Sequence, residues 1–356
     1  MAERRRATIV DVARAAGISA GAVSLALNGK PGVATSTRER VVGLAQELGY
    51  RPSAMARGLS TSRAYAVGMV IARPLDQLRS DPFFPAFTAG MEQVLSLREQ
   101  VLVLQVVPDG HAEQAAYRRL AEDGRVDGVV LSDLRVNEPR PALLHELRLP
   151  AVTLGRPADG SPWPSVVLDD LPGVTAAVAH LRALGHQRIA HVAGPLRYLH
   201  AARRRAQWQT RLRREGLPAV SVTSDFTAAG GALATGRLLD RRHPPTAIVY
   251  ANDVMALAGM AVAARRGLAV PRDLSVIGYD DVDLAAHVHP ALTTVRSDVA
   301  AWGAAAATAL LALVEHGHAD DVDLPAAELI VRDSTAPPDP HRSHSPSTRS
   351  ALEEIR

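Results

Sequence analysis

The chain has 356 residues, 47% of them apolar and 4% aromatic, with 22% charged, a globular composition that excludes wholesale disorder and leaves room for two or three domains. It contains no cysteine, which excludes disulfide scaffolds, thiol catalysis and Cys-ligated metal sites. The net charge of +3 divides unevenly: residues 1–63 carry ten basic against four acidic side chains, +6, leaving −3 for the rest, so a polyanionic partner is expected at the N-terminus.

The first elements are helical. Thr8 and Asp11 form a capping-box pattern, opening a helix whose Ile9, Val12, Ala13 and Ala16 share one face and which Gly17 stops. Ser19 is the next N-cap, leading Ala20 to Leu27, a second helix that buries Val23 and either Ala26 or Leu27. After the Asn28–Gly32 loop, Val41, Leu44, Ala45 and Leu48 recur at helical spacing, so a third helix is expected over residues 37–48. Helix, Gly turn and helix with small outward residues make a helix-turn-helix, with the third helix closing its core. Residues 52–63 read as a linker with one short helical stretch, 54–59, too short to be stable alone in water.

From Tyr65 onward strands and helices alternate. Short apolar runs suited to buried parallel strands lie at residues 66–72, 101–107, 128–131, 151–154, 189–193, 247–250 and 275–278. Helical patterns separate them, over 85–97, 112–122, 174–184, 201–215, 228–239 and 253–265. The stretch is long enough for two doubly wound halves. The alanine-rich run from Val299 to Val314 is short for a membrane span and reads as a core helix, so no membrane partner is expected. Arg4–Arg6 lead into a segment broken early by Asp11, unlike a signal peptide, which makes the cytoplasm the expected location. Residues 337–356, rich in Pro, Ser and Arg, read as a disordered tail.

Thr8-Ile9-Val10-Asp11-Val12-Ala13, Gly17-Ile18-Ser19, Ala22-Val23-Ser24 and Leu48-Gly49-Tyr50-Arg51-Pro52 resemble the DNA-binding head of the LacI/GalR (lactose/galactose-repressor) family. Asp81-Pro82-Phe83-Phe84, Leu184-Gly185-His186, Ala251-Asn252-Asp253, Gly278-Tyr279-Asp280-Asp281, Leu292-Thr293-Thr294-Val295 and Glu328 to Thr335 follow in the family's order, so the resemblance spans roughly residues 7–336. It implies an α + α/β architecture: a helix-turn-helix head (1–51), a hinge helix (52–63) and a periplasmic-binding-protein-like core (64–336) of two doubly wound α/β subdomains, about 64–165 plus 293–325 and 166–292 plus 326–336.

The function it implies is a homodimeric transcription regulator, a repressor of carbohydrate-utilisation genes, that binds near-palindromic double-stranded operator DNA under control of a small effector. A sugar is the expected effector, and a nucleoside or purine the alternative. A transport-type sugar-binding protein of the same fold would carry a signal peptide in place of the head. No cofactor and no enzymatic activity are expected. Gly17–Gly21 matches a nucleophile-elbow spacing but joins two helices, where that motif needs a strand. The pairs His287/His289 and His316/His318 lack a third metal ligand at suitable spacing.

The resemblance assigns DNA contact to Thr8, Ser19, Ala20, Gly21, Ala22, Ser24, Leu25, Asn28 and Lys30, with Met55, Ala56 and Leu59 in the hinge and Leu59 as a minor-groove wedge. The family often has Arg where Leu25 stands. Ala20 and Gly21 cannot make bidentate base contacts, so readout falls to thymine-methyl contacts, Ser24, Asn28 or Lys30, and Leu25 is either a base contact or core. Ligands of doubly wound sheets bind at strand carboxyl ends. That places Phe83, Phe84, Ser132, Arg156, His200, Arg204, Phe226, Asn252 and Asp280 as effector candidates, with Asp133, Gly155 and Tyr198 nearby. Trp302 fits either the pocket or a dimer interface.

Overall fold

The structure is a computed structural model that describes residues 7–50 and 63–339. The hinge candidates Met55, Ala56 and Leu59, and the tail from residue 340, lie outside the described residues. The described residues divide into two units, one ending at Tyr65 and the other starting at Ala66.

In the first unit, the helix Ile9–Ala16 opens on a complete capping box: the Thr8 backbone N–H donates to the Asp11 carboxylate at 2.9 Å, and the Asp11 N–H donates to the Thr8 hydroxyl at 3.4 Å. Gly17 ends it in the left-handed region at φ 67°, where a Cβ would be strained, and the Ile18 N–H reaches back to the Ala13 carbonyl. The Ser19 hydroxyl accepts from Ala22 N–H at 3.2 Å and starts the helix Ala20–Leu27. Val12, Ala13, Ala16, Val23 and Ala26 pack with Val41 and Ala45 of the third helix, Thr35–Glu47. Arg40 donates to the Ala16 carbonyl at 3.1 Å, tying that helix to the end of the first. Leu48, expected on the buried face, is instead 42% exposed, because the helix ends at Glu47.

The second unit carries twelve strands: β1 (Ala66–Ala72), β2 (Val101–Val107), β3 (Gly128–Leu131), β4 (Ala151–Leu154), β5 (Ser165–Leu168), β6 (Ile189–Ala193), β7 (Val220–Thr223), β8 (Ala247–Tyr250), β9 (Ser275–Asp280), β10 (Thr293–Arg296), β11 (Val322–Leu324) and β12 (Glu328–Ile330). They form two sheets, ordered β2-β1-β3-β4-β5-β11 and β7-β6-β8-β9-β10-β12, parallel except for β12 against β10. Parallel strands covered on both faces must be apolar throughout, and β1, β3, β4, β6 and β8 are buried along nearly their whole length. Each order reverses direction beside its first strand, between β1 and β3 in one lobe and β6 and β8 in the other. A ligand crevice is expected at both reversals.

The lobes are cut slightly differently from the sequence expectation. β5 pairs with β4 and β11 in the first sheet, while β10 pairs with β9 and β12 in the second. The first two crossings therefore fall after Leu168 and after Arg296 rather than near 165 and 292. These strands are four residues long, too short for their patterns to announce a lobe. The apolar helix Val299–His316 covers the first sheet through Ala306, Ala307, Leu310 and Leu311. Gly303 lets it cross the helix Phe83–Leu95 closely; a Cβ there would sit 2.1 Å from the Phe87 carbonyl oxygen.

Candidate effector cleft and operator-reading helix

The cleft lies where both strand-order reversals meet, at the carboxyl ends of β1, β3, β6 and β8. It encloses about 1030 Å³ with its open mouth included, at the upper end of ordinary ligand pockets (~300–1,000 Å³).

Arg73, the residue after β1, is buried at the inner end. Its Nε and Nη2 both donate to Asp133 at 2.6 Å, a bidentate pair, and its Nη1 donates to Asp81. Its guanidinium carbon also lies 5.1 Å from the Phe84 ring centroid in its own lobe. It reaches Tyr198 (5.1 Å) and Phe226 (5.5 Å) in the other lobe. Burial works against the charged guanidinium, but Asp133 and Asp81 outweigh it and raise its pKa. The same exchange leaves Asp133 below the usual carboxylate range, since Arg73 overcomes its desolvation; at Asp81 burial wins and the pKa rises. Backbone bonds from Leu199 N–H to Leu134 O (2.7 Å) and from Val136 N–H to Arg197 O (3.1 Å) join the lobes beside it.

On the other lobe, the helix Leu199–Arg214 brings Arg204 inward. Its Nε donates to Asp170 at 2.5 Å, and the guanidinium lies 3.6 Å from the Tyr279 ring centroid. His200 from the same helix stacks with Tyr198 and Phe226, each at 5.8 Å. Burial first, and Arg204 second, push the His200 pKa down to about 4, so it enters the site neutral at pH 7. Phe226 sets the far end of its ring against Gly194, where a Cβ would come within 2.1 Å of it, and holds φ 69°.

Asp280 ends β9 at φ 111° and faces the cleft. Two neighbours fix that turn. Asp253, fully buried, accepts from Thr294 at 2.6 Å and from the Val282 N–H at 2.9 Å, while Asp281 accepts from Arg296 and Arg332, each at 2.6 Å. Burial, then the nearby Asp253 and Asp81, raise the Asp280 pKa well above the ordinary value.

Of the expected effector residues, Phe83, His200, Arg204, Phe226, Asn252 and Asp280 line the cleft. Phe84, Ser132 and Arg156 do not. Phe84 turns into the core of the first lobe, edge-on to Phe83, and Ser132 is buried beneath the wall. Arg156 pairs on the surface with Asp321 and Asp323 at 3.2 and 3.0 Å. Asn252 lines the cleft with its amide already engaged, donating to the Phe226 carbonyl and capping the helix Asp253–Arg265. Trp302 belongs to the cleft wall, its Nε1 donating to the Val166 carbonyl at 2.9 Å. Arg73, Asp81, Asp170 and Tyr279 were not singled out, although Asp81 and Tyr279 stand inside motifs noted in the sequence. Arg73 had only its position, one residue beyond a strand at a reversal.

In the head, Gly21, Ser24, Leu25 and Asn28 fall at i, i+3, i+4 and i+7 of the second helix and are half-buried to exposed. Leu25 is half-buried and stands outside the core cluster of Val12, Val23, Val41 and their neighbours. Thr8 and Ser19 are exposed at the helix starts they cap, and Lys30 is exposed in the loop after the helix.

Comparison with known proteins agrees with both parts. Residues 8–53 match the family of bacterial regulatory proteins of lacI type, and residues 178–335 match a periplasmic binding protein-like domain. The HTH-type transcriptional regulator AglR of Rhizobium meliloti is 37% identical over 342 residues, covering 93% of this chain and 94% of that protein. CelR of Thermobifida fusca is 35% identical over 309 residues, 85% of this chain and 90% of its own. The solved lac repressor dimer bound to operator superposes with a TM-score of 0.81 at 29% identity, covering 93% of this chain and all of that one. A regulator CelR–cellobiose complex gives 0.70 at 32% identity, covering 92% of this chain and all of that one. The chain belongs to the LacI family of DNA-binding transcriptional regulators.

Proposed function

We propose that this regulator represses carbohydrate genes from the cytoplasm as a homodimer on a near-palindromic operator, and that a sugar in the interlobe cleft controls its binding. The observation that carries the effector reading is Arg204, paired with Asp170 over the Tyr279 ring, in a cleft also lined by Asp280, Phe226 and Trp302. A sugar presents vicinal hydroxyls that both donate and accept, and C–H faces that pack on aromatic rings. Guanidinium donors, a carboxylate acceptor and flanking aromatic rings match that pattern. CelR, a relative covering most of the chain, has been solved with cellobiose. Both lobes line the site, so a ligand that binds the two lobe arrangements unequally shifts their equilibrium; ~1–3 kcal/mol of coupling changes operator occupancy roughly 5–150-fold. In the head, the exposed face of Gly21, Ser24, Leu25 and Asn28 reads bases, the basic N-terminal segment engages phosphates, and Leu59 wedges the minor groove.

The test is thermal unfolding of the full chain with neutral sugars and with nucleosides and purines, repeated on operator DNA selected from a random pool. A sugar that saturably raises Tm and changes operator occupancy is the expected result. A response to nucleosides or purines with silence across sugars overturns the carbohydrate reading.

A further inference from the structure

We infer that the cleft accepts an uncharged sugar and refuses its phosphorylated form. This rests on the sugar reading above and goes beyond it to the ligand's charge.

A phosphate monoester brings a charge of about −1.5 to −2 at pH 7 and needs uncompensated cations or vacant helix N-terminal N–H groups to receive it. The cleft's buried cations are already compensated from within. Arg73 holds Asp133 through two nitrogens and Asp81 through a third. Arg204 holds Asp170, and its charge is further spread over the Tyr279 face. Five helices start at the cleft, and each already has an N-terminal N–H engaged: Phe83 donates to Asp81 at 2.9 Å, Leu171 to Asp169 at 3.2 Å, Leu199 to the Leu134 carbonyl at 2.7 Å, Met255 to Asn252 at 2.9 Å and Ala301 to Asp298 at 2.8 Å. His200 is neutral at pH 7 and supplies no charge. Arg203 lines the rim but is exposed, where water screens it.

Against these stands Asp280, a carboxylate lining the cleft with no cation at salt-bridge distance among the described residues. A phosphate placed in this cavity meets, instead of a counter-cation, an acid whose ionisation burial and the neighbouring Asp253 and Asp81 already disfavour, so a further negative charge there is opposed. A hydroxyl meets an acceptor in Asp280 and donors in the terminal nitrogens of Arg204. The discrimination therefore comes from charge pairing internal to the protein and not from size, since the cavity is large enough for either ligand.

Calorimetric titration of the full chain tests this with ribose, glucose, maltose and cellobiose beside ribose 5-phosphate, glucose 1-phosphate and glucose 6-phosphate. The expected result is saturable binding of a neutral sugar and at least 100-fold weaker binding of the phosphorylated sugars. Asp133→Asn, which releases part of Arg73, should narrow that gap at least tenfold, and Asp280→Asn provides an independent variant with the same expected direction should the first unfold. A phosphorylated sugar binding as tightly as any neutral one overturns the inference while leaving the sugar reading intact, as does a gap unchanged in both folded variants. Silence of both sugar classes overturns the sugar reading itself, and the charge rule with it.

Discussion

The guanidinium of Arg73 sits 5.1 Å from the ring centroid of Tyr198, a contact between lobes made by a side chain whose charge is spent on two carboxylates of its own lobe. The arrangement holds one cation between two acids and three aromatic rings at the base of the cleft. Removing it strands Asp81 and Asp133 in a buried place. Breaking a buried pair from one side typically costs about 3–5 kcal/mol. Arg73→Met should lose stability of that size in urea unfolding. Arg73→Lys should recover only part, because an ammonium cannot span Asp133 bidentately and reach Asp81 as well. A loss under about 1 kcal/mol for the Met variant would show the pairs to be dispensable.

Arg204 grips through a planar fork whose Nε is committed to Asp170. Arg204→Lys keeps the charge and loses the fork. Hydrogen bonds to charged groups are worth about 1.5–3 kcal/mol, so sugar affinity should fall roughly 10–100-fold. Titration of the variant with the sugar found for the wild type measures it; an unchanged Kd removes Arg204 from the binding set.

His191 lies on β6, buried against Trp208 with ring centroids 5.2 Å apart, and burial pushes its pKa down to about 3. Its folded pKa is thus below the unfolded value near 6.5, so its contribution is fully present above pH ~6.5 and is lost as pH falls toward 3. At pH 5 the loss should approach about 2 kcal/mol. His191→Gln should flatten that part of the stability–pH curve between pH 7 and 5, and an equally steep curve would assign the acid sensitivity to other groups.

Leu25 separates two roles by magnitude. A core leucine truncated to alanine costs about 2–5 kcal/mol. Leu25 is half-buried and outside the head's core cluster, so Leu25→Ala should cost less than about 1 kcal/mol in head stability while weakening operator binding. Val23→Ala, at a fully buried position, is the control that should lower stability first. A melting loss at Leu25 matching that at Val23 would make Leu25 a packing residue.

Operator binding should depend steeply on salt. With roughly six to ten phosphate contacts per dimer, log affinity should fall against log salt with a slope of about −5 to −9. A slope near zero would contradict an electrostatic role for the +6 N-terminal segment.

Local chemistry was legible along the chain. Thr8 and Asp11, Gly17 and Ser19 announce helix ends because caps are satisfied within three or four residues. The apolar runs of β1, β3, β4, β6 and β8 announce parallel strands, because burial on both faces leaves them no polar alternation. The short strands β5 and β10 carry too few residues for a period, so the sheet each joins depends on pairing partners far along the chain. Phe83 and Phe84 illustrate the same limit in the site: adjacent and alike in sequence, they part on a helix, one to the cleft wall and one to the core. Most of all, Arg73, Asp81 and Asp133 carry no spacing signal, being joined by a fold that brings residues 60 positions apart within 2.6 Å. The sequence by itself determined the two-part plan, the helix-turn-helix and the uneven charge, all of which rest on near neighbours. Only the tertiary structure decided which charges in the cleft are spent on each other and which remain for a ligand, because pairing of buried charges is a property of positions in space.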